Sequence, residues 1–151
     1  MIKVFNTTLE ISTRMLLVLC AHPATARSCD EIAALDYMTC YAKSFQIGAE
    51  NLHGDGEFNF VEFSDRQTAT ERACRYLVTH GLIAANAGND GFTFTITAEG
   101  KELCNRLTSE YAANFQKSLA ATFALIQANP GVDVVRFVNH AGNLLAAKGD
   151  Q

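Results

Sequence analysis

The chain has no apolar run long enough to cross a bilayer, no Cys-x-x-Cys pair, no glycine-rich phosphate loop and no excess of positive charge. Each absence removes a class of function. A membrane-spanning helix needs about 20 consecutive apolar residues. The apolar stretch Met15 to Ala21 is short and follows Glu10 and Arg14. It reads as a core helix and not as an export signal, so a cytoplasmic protein without membrane contact is expected. The five cysteines (Cys20, Cys29, Cys40, Cys74, Cys104) and four histidines are dispersed without zinc-site spacing. No metal or cofactor is expected, and the thiols read as reduced, mostly buried small apolar groups. Gly54-x-Gly56 lacks the strand–helix context of a dinucleotide site, and no glycine leads into Gly-Lys-Ser/Thr. Asp55-Gly56-Glu57 stands without the rest of a calcium loop. Asp30 and Glu31 read as first-turn charges favoured by a helix dipole. No Ser/His/Asp order with motif support is present, and a Cys–His nucleophilic pair would form only through tertiary contact. The chain is therefore expected not to be an enzyme. A net charge of -4 argues against free-standing, non-specific nucleic-acid binding, though it leaves room for a local basic patch.

What is present is clearest from Arg72 to Leu107. A helix ending near Tyr76–Gly81 runs into a short stretch to Asn86, a turn over Ala87–Gly91 and the strand Phe92–Thr97, followed by a helix opening at Ala98. Gly81 sits where a helix would stop, because glycine takes the left-handed cap conformation without steric cost. Asn89-Asp90-Gly91 supplies residues that tolerate positive φ in a tight hairpin. Phe92, Phe94 and Ile96 alternate with threonines, giving one apolar strand face. Thr97 is placed to cap the next helix, with Glu99 at its positive end. Helix, two-stranded ribbon, helix predicts a winged-helix domain. The fold class is mainly α with a small β-ribbon: a winged-helix domain plus a C-terminal helical extension.

Elsewhere the pattern is helical. Thr7 or Thr8 caps a first helix that reaches about Cys20 and stops before Pro23. Leu9, Met15, Leu16 and Leu19 fall near one face. Ser28, with Glu31 three residues on, opens a second helix. Ile32, Leu35 and Met38 or Tyr37 form its stripe, and Asp36 is expected to face solvent or cap locally. Residues 43–63 form a long irregular connection, which in a compact domain is usually functional or hides an element. Phe58 and Phe60 there make a short strand or pin the loop to the core. Ser64 then opens a third helix with Gln67 at the capping-box position. This helix would be the recognition helix of a DNA reader, and Arg66 and Arg75 are its candidate DNA contacts. A solvated face with local ion pairs is the favoured reading. A helix-turn-helix joins its helices by a few residues, whereas here 43–63 intervenes, and the wing tip lacks Lys or Arg.

After the wing, a long helix from about Thr108 to Ala128 carries Tyr111, Phe115, Leu119, Phe123 and Ile126 at helical spacing. Asn129-Pro130-Gly131 breaks it, and a last helix spans about Val132 to Ala147. The expected organisation is a winged-helix domain over residues 1–107, with 43–63 as an inserted loop, and a helical hairpin over 108–151. The hairpin packs on that domain or on a partner. Phe58, Phe60, Phe115, Phe123, Phe137 and Leu144 are the candidate partner-interface residues.

Three short motifs then carry a resemblance. They are Phe5-Asn-Thr-Thr-Leu-Glu-Ile-Ser-Thr-Arg14, Leu35-Asp-Tyr37 with Glu50-Asn-Leu-His53, and the stretch from Arg72 through Gly81-Leu-Ile83. In order and spacing they resemble the middle component of bacterial ABC-three-component systems, over roughly residues 5–115. His53 is followed by Gly54 where the family pattern has proline. The resemblance implies a short winged-helix protein that assembles with a large SMC/Rad50-like ABC ATPase and an effector subunit, in Lamassu-like defence against phage and plasmids. It implies no catalytic residue, and DNA reached only through the complex. The competing expectation is a small winged-helix transcriptional regulator that dimerises through its last two helices and binds a palindromic site.

Overall fold

The computed structural model describes residues 7–42, 45 and 60–140, with the backbone alone described over 60–64. Helix α1 (Thr8–Ala21) starts where Thr7 Oγ1 accepts from Glu10 N at 3.2 Å. It ends at His22, ahead of Pro23, since a residue before proline is pushed out of the α region. Its second half is buried all round: Met15, Leu16, Leu17, Val18 and Leu19 are each at most 2% exposed. The expectation of one apolar face is corrected. Leu9 is exposed, and from Arg14 to Leu19 the helix is enclosed on every side.

Strand β1 (Arg27–Ser28) leads directly into α2 (Cys29–Cys40). Ser28 Oγ accepts from Glu31 N at 3.2 Å and donates to Glu31 Oε1 at 3.3 Å, so Ser28 and Glu31 pair as expected at the helix start. Every residue from Ile32 to Ala42 is buried, which makes α2 a second central helix packed by α1, α3 and α5. Helix α3 (Phe60–Thr79) begins earlier than expected. Ser64 lies inside it and is no cap, and Gln67 Nε2 reaches back to Asp30 Oδ1 at 3.4 Å. Residues 60–63 are therefore helix. Phe45 packs against the core, and the remainder of the expected loop lies outside the described residues.

The end of α3 is a Schellman motif. Leu82 N donates to Leu77 O at 2.9 Å and Gly81 N to Val78 O at 3.0 Å, with Gly81 at φ +70°. Strands β2 (Ile83–Gly88) and β3 (Gly91–Ile96) form the hairpin in the register Ile83↔Ile96 to Gly88↔Gly91, turning over Asn89-Asp90. Strand β1 adds on the other side of β3, through Arg27↔Phe94 and Ser28↔Thr93. The sheet is antiparallel, ordered β1-β3-β2, and so has one more strand than the sequence suggested. Phe94 and Ile96 face the core, but Phe92 is 63% exposed. It pairs with Ala87 near the tip, where residues 87–92 are all exposed.

Helix α4 (Ala98–Asn105) is capped by Thr97, whose Oγ1 accepts from Gly100 N at 3.1 Å and donates to Gly81 O at 2.8 Å. Gly100 is required by packing: a Cβ there would overlap the Leu82 carbonyl oxygen and stand 2.7 Å from Ile96 Cγ1. Helix α5 (Glu110–Ala128) starts at Ser109 and buries Phe115, Leu119, Thr122 and Phe123. Ser118 Oγ donates to Thr39 O at 2.9 Å, stitching α5 to α2. Asn129 and Gly131 (φ +87°) turn the chain. Asp133 Oδ1 then accepts from Val135 N and Arg136 N, starting a helix α6 over 134–140. Val138 joins the same core as α1 and α2. Among the described residues no helix is long and apolar enough to cross a membrane.

Candidate functional site

Two features stand apart from ordinary core packing. The first is a charge network sealed between α1, α2 and α3. Arg14 Nε donates to Asp36 Oδ1 at 2.7 Å, Arg14 Nη2 to Oδ2 at 3.4 Å, and Arg66 Nη1 to Oδ2 at 3.1 Å. These side chains are 0%, 1% and 4% exposed. Cys40 Sγ lies 3.6 Å from Asp36 Oδ1, and the Arg66 guanidinium stacks 5.2 Å from the Tyr37 ring and 5.5 Å from the Tyr41 ring. Burial acts to lower the Arg14 pKa, but Asp36, Cys40 and Tyr111 outweigh it, and the group stands above the ordinary arginine value. Arg66 is raised in the same way, burial being overcome by Asp36 and Cys40. Burial, then the Asp36 carboxylate, pushes the Cys40 thiol up to about 12. Its three charged side chains, Arg14, Asp36 and Arg66, tie three helices together away from solvent.

The second feature is a groove of about 860 Å³ between the end of α1, β1, the start of α2 and the α5–α6 turn. Its polar side holds His22, Arg27, Glu31 and Asp133, and its apolar side Phe123, Ile126, Val132 and Val134. An apolar hollow of about 350 Å³, lined by Phe45 and Phe137, shares Ile126, Val132 and Val134 with it. The size falls in the range of ligand pockets, roughly 300–1,000 Å³. Among the described residues no three His, Cys, Asp or Glu side chains converge to hold a metal ion.

The model of the family described as ABC-three component (ABC-3C) system Middle Component 2 matches residues 4–145. The chain belongs to that family. No curated protein and no solved structure matches it. Membership makes this middle component one part of a multi-subunit defence system, with partner subunits to meet. The family expected from the three short motifs is thus the family found, and its match extends past residue 115 into the C-terminal helices.

The expected site residues of this middle component fall in different places. Arg66 and Arg75 do not form one basic face. Arg75 is exposed, but Arg66 is turned into the core and engaged by Asp36, so it offers nothing to a phosphate or base edge. Asp36, expected at the surface or in a local cap, is the buried hub. Phe115 is 0% and Phe123 7% exposed, and both are core residues where partner contacts were expected. Phe137 is exposed on α6 and borders the apolar hollow. Phe60 opens α3; Phe58 and Leu144 lie outside the described residues. Sequence reasoning missed the groove and the exposed Phe92. Arg27 carried the one local signal, a basic residue directly before a capping serine.

The thiols are free. The neighbouring Cys74 draws the Cys29 pKa below the ordinary thiol value, while Cys29 and then burial push that of Cys74 up. Burial, aided by the nearby Cys20, pushes Cys104 up to about 12.

Proposed function

We propose that this chain is a non-catalytic assembly subunit that links an SMC/Rad50-like ABC ATPase to an effector in a bacterial, Lamassu-like system acting against phage or plasmids. The family match over residues 4–145 carries this reading. The element order α1-β1-α2-α3-β2-β3, with the hairpin closing on α4, supports a winged-helix domain as the scaffold. The surface supports contact with protein over contact with a nucleic-acid groove: Arg66 is buried, the hairpin tip carries Asp90, and Phe92, Val132 and Phe137 are exposed apolar side chains. DNA is reached through the assembled complex, and the cytoplasm is where such a complex works.

Co-expression of the tagged chain with its genomic neighbours tests the proposal. A stable, salt-resistant complex containing an ABC-type ATPase is the expected result. A chain that purifies alone under these conditions removes the assembly role. A homodimer binding a palindromic duplex with steep salt dependence would replace it with transcriptional regulation.

A further inference from the structure

Along the chain the cysteines are dispersed, but folding sets four of them side by side in two pairs. Cys29 of α2 neighbours Cys74 of α3, and Cys20 of α1 neighbours Cys104 of α4. Cys40 is held beside Asp36 instead. The members of each pair differ in access. Cys29 and Cys20 are partly exposed, whereas Cys74 and Cys104 are 1% and 5% exposed. Packing fixes the first pair: Cys74 belongs to the main hydrophobic core, and Cys29 packs against it. The next residue, Asp30, accepts from Gln67 Nε2 at 3.4 Å, so the start of α2 is tied to α3 at a second point.

The reacting form of a cysteine is its thiolate. Cys29 is the first residue of α2, directly after the capping Ser28, where the helix N–H groups favour negative charge. Cys74 draws the Cys29 pKa down, helped by Arg75 and opposed by burial, Glu71 and Asp30. Cys74 itself is pushed up by Cys29 and by burial, and so keeps its proton. Cys20 has no such position: it stands in the last turn of α1, where the uncommitted backbone groups are carbonyls. An accessible thiol of lowered pKa beside a shielded second thiol is the arrangement of a redox-sensing pair.

We propose that Cys29 and Cys74 form a reversible, peroxide-driven dithiol–disulfide site joining α2 to α3. The Cys29 thiolate attacks one oxygen of hydrogen peroxide, the O–O bond breaks, and hydroxide leaves. Cys29 is then a sulfenic acid. The Cys74 sulfur attacks the Cys29 sulfur, the S–O bond breaks, and the Cys74 proton leaves with the hydroxyl as water. Two thiols are oxidised and one peroxide is reduced. The proton lost earlier by Cys29 turns the hydroxide into the second water. A small thiol reverses the bond by exchange, so in a reducing compartment it is transient.

The test treats the full, reduced chain with hydrogen peroxide near neutral pH, blocks the remaining thiols, and maps peptides by mass spectrometry without reduction. A peptide linking Cys29 to Cys74 is expected, and dithiothreitol should remove it. The cross-linked chain should melt roughly 10 °C higher, because the bond closes a long loop in the unfolded state. Cys74→Ser should strand Cys29 as the sulfenic acid, with dimedone labelling there severalfold above that of the unsubstituted chain. Cys29→Ser should leave Cys74 unmodified. No link, a link from Cys29 to another cysteine, prior linking of Cys20 to Cys104, or a cross-linked chain that melts no higher overturns the proposal. The map of the unsubstituted chain decides by itself, so a variant that fails to fold does not rescue it. No partner enters the experiment. A negative map therefore leaves the assembly role standing, and a failed co-purification leaves the thiol pair standing.

Discussion

Replacing Asp36 by Asn is the sharpest perturbation of this fold. The change is nearly isosteric, so packing is kept while the negative charge is lost. Asp36 Oδ1 accepts from Arg14 Nε, and Oδ2 accepts from Arg14 Nη2 and Arg66 Nη1. Whichever way the new amide is turned, its NH2 group faces an arginine donor. Two guanidinium groups at 0% and 4% exposure then lose the carboxylate between them. Removing one partner of a buried ion pair costs about 3–5 kcal/mol. A domain of this size is stable by about 5–15 kcal/mol and loses about 2–4 °C of melting temperature per kcal/mol. Asp36→Asn should therefore lower the urea midpoint sharply and the melting temperature by roughly 10 °C or more, with the urea m value unchanged. Replacing all three residues together (Arg14→Met, Asp36→Leu, Arg66→Met) should cost less than Asp36→Asn alone, since neither guanidinium is left behind without the carboxylate. Urea unfolding followed by circular dichroism measures both. A loss below about 1 kcal/mol for Asp36→Asn would refute the reasoning, because that is the scale of a solvated pair.

Gly100→Ala should destabilise by about 1–3 kcal/mol through overpacking on the Leu82 carbonyl, although alanine in a helix normally gains about 1 kcal/mol over glycine; a raised melting temperature would show that α4 can shift. Ser28→Ala should cost about 1 kcal/mol by freeing Glu31 N at the start of α2, read by chemical denaturation. Iodoacetamide near neutral pH should modify Cys29 before Cys40, Cys74 or Cys104, because its pKa is lowered and theirs are raised; peptide mass mapping gives the order, and early loss of Cys40 contradicts it. Stability should be insensitive to these thiols below pH 9.0 and fall as pH rises from there towards 12. In that window the unfolded chain has released protons that folded Cys40 and Cys104 retain. The expected slope is about 1.4 kcal/mol per thiol per pH unit. Tyr111, also raised by burial, steepens it further up, and Cys104→Ala should remove its share.

How much of this was legible in the sequence follows the range of each interaction. Thr7, Ser28, Thr97, Gly81 and Gly91 each act within a few residues, so their caps and turns were readable from local order alone. The family was readable because short motifs recur in order. Three features were not. Strand β1 is two residues long, and only β3, far along the chain, makes it a strand. Phe115 and Phe92 carry the same apolar signal, yet one is sealed and the other exposed; the difference is set by which element lies beneath each. Asp36 and Arg66 each look like surface charges when read singly, and 30 residues separate them.

The separation of those two charges also decides what the third helix can be. A recognition helix must keep its arginines free for phosphate and base edges. Here α3 commits Arg66 to holding α1 and α2, at a depth where releasing it would leave Asp36 short of a partner. Arg72 and Arg75 stay outside, with Glu71 exposed beside them and no arginine or lysine at the hairpin tip. An α3 that spends Arg66 on internal rigidity keeps only two outward arginines, beside Glu71, and so has little to offer the phosphate contacts on which a reading helix depends.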